Sequence, residues 1–429
     1  MQSKNMKRWF KGILSGGGIV VYFIMAFEVM IMISPFAFFF YSVFNPIFHL
    51  LGKYSATRWL TGFFLPHTVF PPGVFLQGIR VLGSVLFILG LGFFLICASQ
   101  VYLGKILKRG VATKGLYQVI RHPQYLGLAI CGAGMAILWP RFLVLVTLSL
   151  MLILYYFLAR DEERRMTNEY GDAYQRYMEQ TGMFLPRWIE RPVTSNALSN
   201  RLKPYQSIVF PLVTVVTILV LGFALRTLTV AELPVKIEGN IAVVSMLPED
   251  NGFLKGAASN LSGAEGKLPN NLILNQNEAY LGYLMPVDYV MQGMIANTGK
   301  RWQLYKRHHA LQMISDWVFH PFRHLRQPPM HTMQHMPTGH TIAMARRHLC
   351  PLNINDPTLE CNNCPYRRVV IVQVDKKKKR PLTKALLFAL RAERTAVAYL
   401  DMDVRSGKII DVVRVQGKTL WEEVPTPIF

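Results

Sequence analysis

The chain has 429 residues, of which 51% are hydrophobic and 17% charged, and its mean hydropathy is +0.24. This composition excludes a disordered chain and an ordinary soluble enzyme, and makes the bilayer the solvent of part of it. Its 47 basic and 25 acidic residues favour an anionic lipid surface over nucleic acid, because the cations are not interleaved with a nucleic-acid-binding module. Five cysteines, two of them (Cys97 and Cys131) in apolar runs, exclude a disulfide-dense secreted scaffold.

The start is basic (Lys4, Lys7, Arg8, Lys11) and leads into an apolar run longer than a signal core, so it reads as a retained span rather than a cleaved leader. Apolar stretches near 18–44, 79–103 and 206–225, with a shorter pair at 124–138 and 142–158, predict about five membrane helices. The pair is broken at Trp139-Pro140-Arg141 and reads as a tight helical hairpin. Residues 59–76, with Pro66, Pro71 and Pro72, read as an interfacial segment. Basic residues at the N-terminus and from Lys105 to Arg121 place both on the cytoplasmic side. With five spans, the part after Leu225 then lies on the opposite, periplasmic or extracellular, side.

From Arg160 to Lys203 the chain is polar and reads as a cytoplasmic helix with a proline-marked connector. Beyond Leu225, strands are expected over 235–247 and 368–374 and a helix over 384–392, and 395–402 with 408–415 flank a glycine turn at 403–407. The predicted organisation is therefore mainly α: an N-terminal helix and interfacial segment (1–77), a membrane module (78–204), a final span (205–225) and a small extramembrane α+β domain (226–429).

The hairpin carries the functional argument, because antiparallel arms bring the start of one beside the end of the other. Arg121, His122, Pro123 and Tyr125 precede or open the first arm, and Arg160, Asp161, Glu162 and Glu163 follow the second. A cationic and an acidic cluster thus share one interface, an arrangement suited to a zwitterionic amino-acid headgroup. Simple anchoring of helix ends is the alternative reading of the charges. Glu28, within the first span, is a further site candidate, with an interhelical hydrogen bond as its alternative role.

Gly115-Leu116-Tyr117, Arg121-His122-Pro123-Gln124-Tyr125-Leu126-Gly127, Glu162-Glu163, Tyr170-Gly171, Tyr174, Tyr177 and Pro186 stand in one order. Over about residues 78–188 this pattern resembles integral-membrane methyltransferases of the isoprenylcysteine carboxyl methyltransferase and phospholipid methyltransferase superfamily. The resemblance implies S-adenosylmethionine bound in a helical bundle and a lipophilic acceptor, a lipid or an isoprenylcysteine-like carboxylate, arriving from the membrane. It assigns His122, Tyr125, Gly127, Glu162 and Glu163 to the cofactor side. Gly90 and Gly92 resemble the family's glycine pair, with close helix packing as the competing role. Arg121 or Arg160 would orient an acceptor carboxylate, and Tyr174 with Tyr177 would line its entrance. Arg160-Asp161-Glu162 also resembles membrane sterol reductases, but those are much larger bundles. A non-catalytic anchor whose C-terminal domain binds metal, haem or a protein partner is the structural rival.

Eight of the 11 histidines fall between His308 and His348, among methionines and just before Cys350, Cys361 and Cys364. His331 with His335, and His340 with His348, would share helical faces. Copper or haem on these groups, zinc on the three cysteines, and a disulfide are alternative readings of the segment. Lys376–Arg380 reads as a solvated cationic loop or a lipid contact.

Overall fold

The computed structural model describes residues 23, 26–43, 48–66, 73–107, 114–194, 206–246, 248–262, 274–275, 277–286, 366–374 and 381–414. The helices are α1 (Ala26–Val43), α2 (Phe48–Lys53), α3 (Val74–Ile106), α4 (Pro123–Leu138), α5 (Phe142–Tyr170), α6 (Asp172–Gln180), α7 (Arg187–Thr194), α8 (Gln206–Glu232), α9 (Leu254–Leu261) and α10 (Lys384–Leu387). Stretches of α1, α3, α5 and α8 are long and apolar enough to cross a membrane, the mark of an integral membrane protein. With 16 residues α4 rises about 24 Å, short of a hydrocarbon core of about 30 Å.

The hydropathy break near Arg160 does not break the helix. The 29 residues of α5 run on through Tyr170, and Asp161 pairs with Arg164 (2.7 Å) and Arg165 (3.0 Å) one turn along. The helix expected from Arg160 thus begins as the end of the second hairpin arm, with α6 following it. Gly171 ends it with φ +55°, a backbone state that favours glycine, and α6 starts immediately after.

The chain divides into two compact units. One comprises Met1–Phe44, Val85–Ala136 and Val144–Ile218. Here α1 and α5 meet through a hydrogen bond from Thr147 Oγ1 to Ser42 Oγ (2.8 Å). Gly132 of α4 faces Met151 and Leu148 of α5 and Phe39 of α1.

The other unit comprises Asn45–Ser84, Ile137–Leu143 and Leu219–Phe429. It holds one sheet in the order β1 (Val235–Glu238), β2 (Ile241–Ser245), β3 (Ala279–Pro286), β4 (Tyr366–Val374), β5 (Arg394–Asp403), β6 (Ile409–Arg414). Among the described strands only β2 and β3 pair in parallel, and α9 lies in the connection between them. The single strand expected over 235–247 is a hairpin, turned at Gly239-Asn240, and β3 was not expected.

The sheet's side chains alternate between two buried faces. Val243, Leu284, Ile371 and Leu400 pack with Leu254, Ala258 and Leu261 of α9. Val244, Tyr283, Val370 and Tyr399 pack with Phe63, Leu233, Leu387 and Phe388. Double burial explains the nearly unbroken apolar runs of β2 and β4. Thr61–Leu65, in the stretch expected at the interface, is buried: Phe64 N–H donates to Pro140 O and Phe142 N–H to Gly62 O, while Arg141 donates to Thr61 O (2.6 Å). Within the core, Arg368 makes a bidentate pair with Asp401 (2.6 Å for each bond).

Candidate active site

The first unit builds its polar site where α4 begins and α5 ends. A parallel bridge between Ile120 and Gly182 brings the loop after α6 against the approach to α4. Arg121 N–H donates to Gly182 O (2.8 Å) and His122 N–H to Met183 O (3.1 Å). Pro123 then opens α4, a position where its missing N–H has no cost.

Arg121 Nε donates to Glu163 Oε1 at 2.5 Å, and Nη1 donates to the carbonyls of Met178 (3.0 Å) and Thr181. No described residue bonds Nη2. His122 is 2% exposed, with Nδ1 3.5 Å from Glu162 Oε2 and Nε2 3.4 Å from Glu163 Oε1. Burial by itself lowers the imidazole's pKa, but the hydrogen-bonding and charge of Glu162 and Glu163 outweigh it and hold the ring above its ordinary value. The Glu163 side chain is 16% exposed and that of Glu162 42%, so Glu162 is the more accessible carboxylate.

Aromatic faces wall the cluster. His122 stacks on Tyr125 at 5.7 Å, Tyr125 stacks on Tyr155 at 4.9 Å, and Phe184 lies 6.0 Å from the imidazole. Tyr125 Oη lies 3.5 Å from Glu162 Oε2. Tyr117 donates to Gln124 Oε1 (2.9 Å), and Tyr177 donates to Tyr117 O (2.6 Å). Tyr174 is buried beside Tyr177 and lies in the field of Glu163, Glu162 and Arg121. Burial pushes the Tyr177 phenol up to about 12, so it stays a neutral donor.

Of the residues singled out in the sequence, Arg121, His122, Tyr125, Glu162, Glu163 and Tyr174 thus converge. Arg160 does not: two residues before Glu162, it points to nearly the opposite side of α5, where it is exposed and lies over the Tyr156 ring (5.8 Å). Gly90 and Gly127 belong to the contact between α3 and α4. A Cβ on Gly90 would stand 2.3 Å from Cys131 N, and one on Gly127 2.7 Å from Phe94 N. Gly92 faces open space. Glu28 is exposed on α1, with its charge felt at Tyr102 of α3.

His331, His335, His340, His348, Cys350, Cys361 and Cys364 lie outside the described residues, in the connection between β3 and β4, as does Lys376–Arg380 after β4. Among the described residues no group of three His, Cys, Asp or Glu side chains could hold a metal ion.

Residues 73–173 match the family model for phospholipid methyltransferase. This segment is similar to the phospholipid methyltransferase family. The matched segment contains α3, α4 and α5, hence Arg121, His122, Glu162 and Glu163, and stops just before Tyr174. No match to the chain was found among curated proteins or among solved structures. Thr181, Gly182 and Glu190, outside the segment, escaped the sequence reading. The only signal for Glu190 was an acidic residue in the first turn after Pro186.

Proposed function

We propose that the chain transfers a methyl group from S-adenosylmethionine to a lipophilic acceptor at the membrane interface. The observation that carries this reading is the convergence of Arg121, His122, Glu162 and Glu163 inside the matched segment.

The residues fit an amino-acid tail. Arg121 is held by Glu163 and two backbone carbonyls while Nη2 has no described partner, so it presents a preset cation to a carboxylate. The half-exposed Glu162 suits an ammonium. His122, buried with its two ring nitrogens facing Glu162 and Glu163, holds those carboxylates in position for a ligand. The Tyr125 face suits a neighbouring positive centre. The donor, when bound, supplies an already activated sulfonium methyl. The protein's task is then to align an acceptor lone pair and exclude water. Tyr174 and Tyr177 are proposed to flank the acceptor's approach, and a membrane lipid is the acceptor class this location favours. The basic N-terminus and Lys105–Arg121 favour a cytoplasmic site.

The test is calorimetric binding of S-adenosylhomocysteine to the full chain in lipid nanodiscs, together with transfer of a labelled methyl group into a lipid extract. The wild type binds and labels, whereas His122→Ala and Glu162→Ala each remain folded and lose at least about tenfold in affinity. A wild type that neither binds nor labels, or mutants that bind as it does, would overturn the proposal.

A further inference from the structure

Glu190 of α7 accepts three backbone hydrogen bonds from one loop. Oε2 takes the N–H of Met183, and Oε1 takes those of Phe184 and Leu185, each at 2.9 Å. The loop is wound tightly around this carboxylate: a Cβ on Gly182 would stand 1.8 Å from Leu185 O and 3.0 Å from Glu190 Oε2.

The same loop holds the polar cluster. Gly182 O and Met183 O receive the N–H groups of Arg121 and His122, Thr181 O receives the Arg121 guanidinium, and Phe184 packs beside the His122 ring. The loop's N–H groups therefore close on Glu190 while its carbonyls close on Arg121 and His122. No other described carboxylate bonds those three donors. An ionised carboxylate suits the position because it accepts on both oxygens, whereas glutamine would turn an NH2 toward a backbone donor.

We propose that Glu190, outside the segment that matches the family, is a positioning residue for the donor-binding cluster. It fixes the 181–185 loop, and the loop fixes the direction of Arg121 and the seat of His122. The assignment of the cluster to the methyl donor rests on the function proposed above, but the mechanical link does not.

Two readouts on the full chain in nanodiscs separate these layers: affinity for S-adenosylhomocysteine, and the titration midpoint of His122 by isotope-labelled histidine NMR, its signal assigned by loss in His122→Gln. The charged groups facing the imidazole are Glu162 and Glu163, with Arg121 adjacent in the chain and paired to Glu163. Glu190→Ala should weaken binding at least about tenfold and move the midpoint toward the ordinary value of about 6.5. Glu190→Gln should fall between it and the wild type. Trp188→Ala, an exposed change in the same helix, should leave both readouts unchanged.

Glu190→Ala behaving like the wild type in both readouts, or no differently from Trp188→Ala, overturns the proposal. If Glu190→Ala does not fold, Glu190→Gln decides by the same two measures. A wild type that fails to bind S-adenosylhomocysteine sinks the functional reading, and the His122 midpoint still decides the positioning role.

Discussion

Nδ1 and Nε2 of His122 face different carboxylates, and the pH dependence of stability follows from that placement. The folded pKa is raised above the ordinary value of about 6.5, so the folded state holds the proton more tightly than the unfolded chain does. The resulting stabilisation is fully present below about pH 6.5 and is lost as pH rises through the folded value. Contacts longer than good hydrogen bonds and a half-exposed Glu162 keep the expected size to about 1–2 kcal/mol. Thermal unfolding of the wild type and His122→Gln should therefore differ most below about pH 6.5, and the gap should narrow as pH rises through the folded value. A gap that stays constant over that range would exclude a charged His122. Arg121-His122 and Glu162-Glu163 were legible because each pair sits at the end of a hydropathy run, where hairpin geometry alone brings them together. Arg160 faces away from the cluster despite its proximity along the chain, since two helical steps turn it about 200° from Glu162. Glu190 left only its place in a first helical turn, because its partners are peptide N–H groups, which any sequence possesses.

At the scale of elements, hydropathy located the helices but not their contacts or their full extents. It stopped the second hairpin arm near residue 158, where apolar character ends, although the charged turns that follow keep good helix formers and α5 continues to Tyr170. It also missed β3, where Gly282 interrupts the apolar run. The glycines of α3 have opposite roles that their spacing hides. A methyl group on Gly90 would meet the backbone of Cys131, which cannot rotate aside, so Gly90→Ala must separate α3 from α4. The expected loss is about 1–3 kcal/mol. Gly92→Ala meets nothing within 4 Å and restricts only the unfolded helix backbone, so it should be neutral or stabilising by up to about 1 kcal/mol. Denaturant unfolding of both variants in one detergent checks the contrast, and equal losses would show that the α3–α4 contact is not tight.

For the whole molecule, the expected C-terminal domain and the compact unit that contains its sheet have different sequence contents. An α+β domain was legible because β2, β4 and the β5–β6 turn have strong strand and turn signatures, including Gly407 at φ +71°. What covers one face of that sheet was not legible, because Phe63 lies in a proline-containing stretch that reads as an interfacial segment. Phe63 is 1% exposed and packs in the same cluster as Leu233, Val244, Tyr283 and Phe388. Arg226, at the proposed boundary, donates to the carbonyls of both Phe63 and Phe388, and so bonds chain segments from the two ends of the sequence. A fragment of residues 226–429 keeps the strands but loses the aromatic cover and one carbonyl of that buried guanidinium. Removing a buried Phe side chain costs about 3–5 kcal/mol, a large share of the stability of a domain this size. The fragment should therefore show weaker amide-exchange protection in β2, β3 and β4 than the full chain, and Phe63→Ala in the full chain should reproduce part of that loss while Leu254 and α9 keep the opposite face covered. Equal protection in fragment and full chain would mean that the sheet folds without Phe63, and would support residues 226–429 as an independent domain.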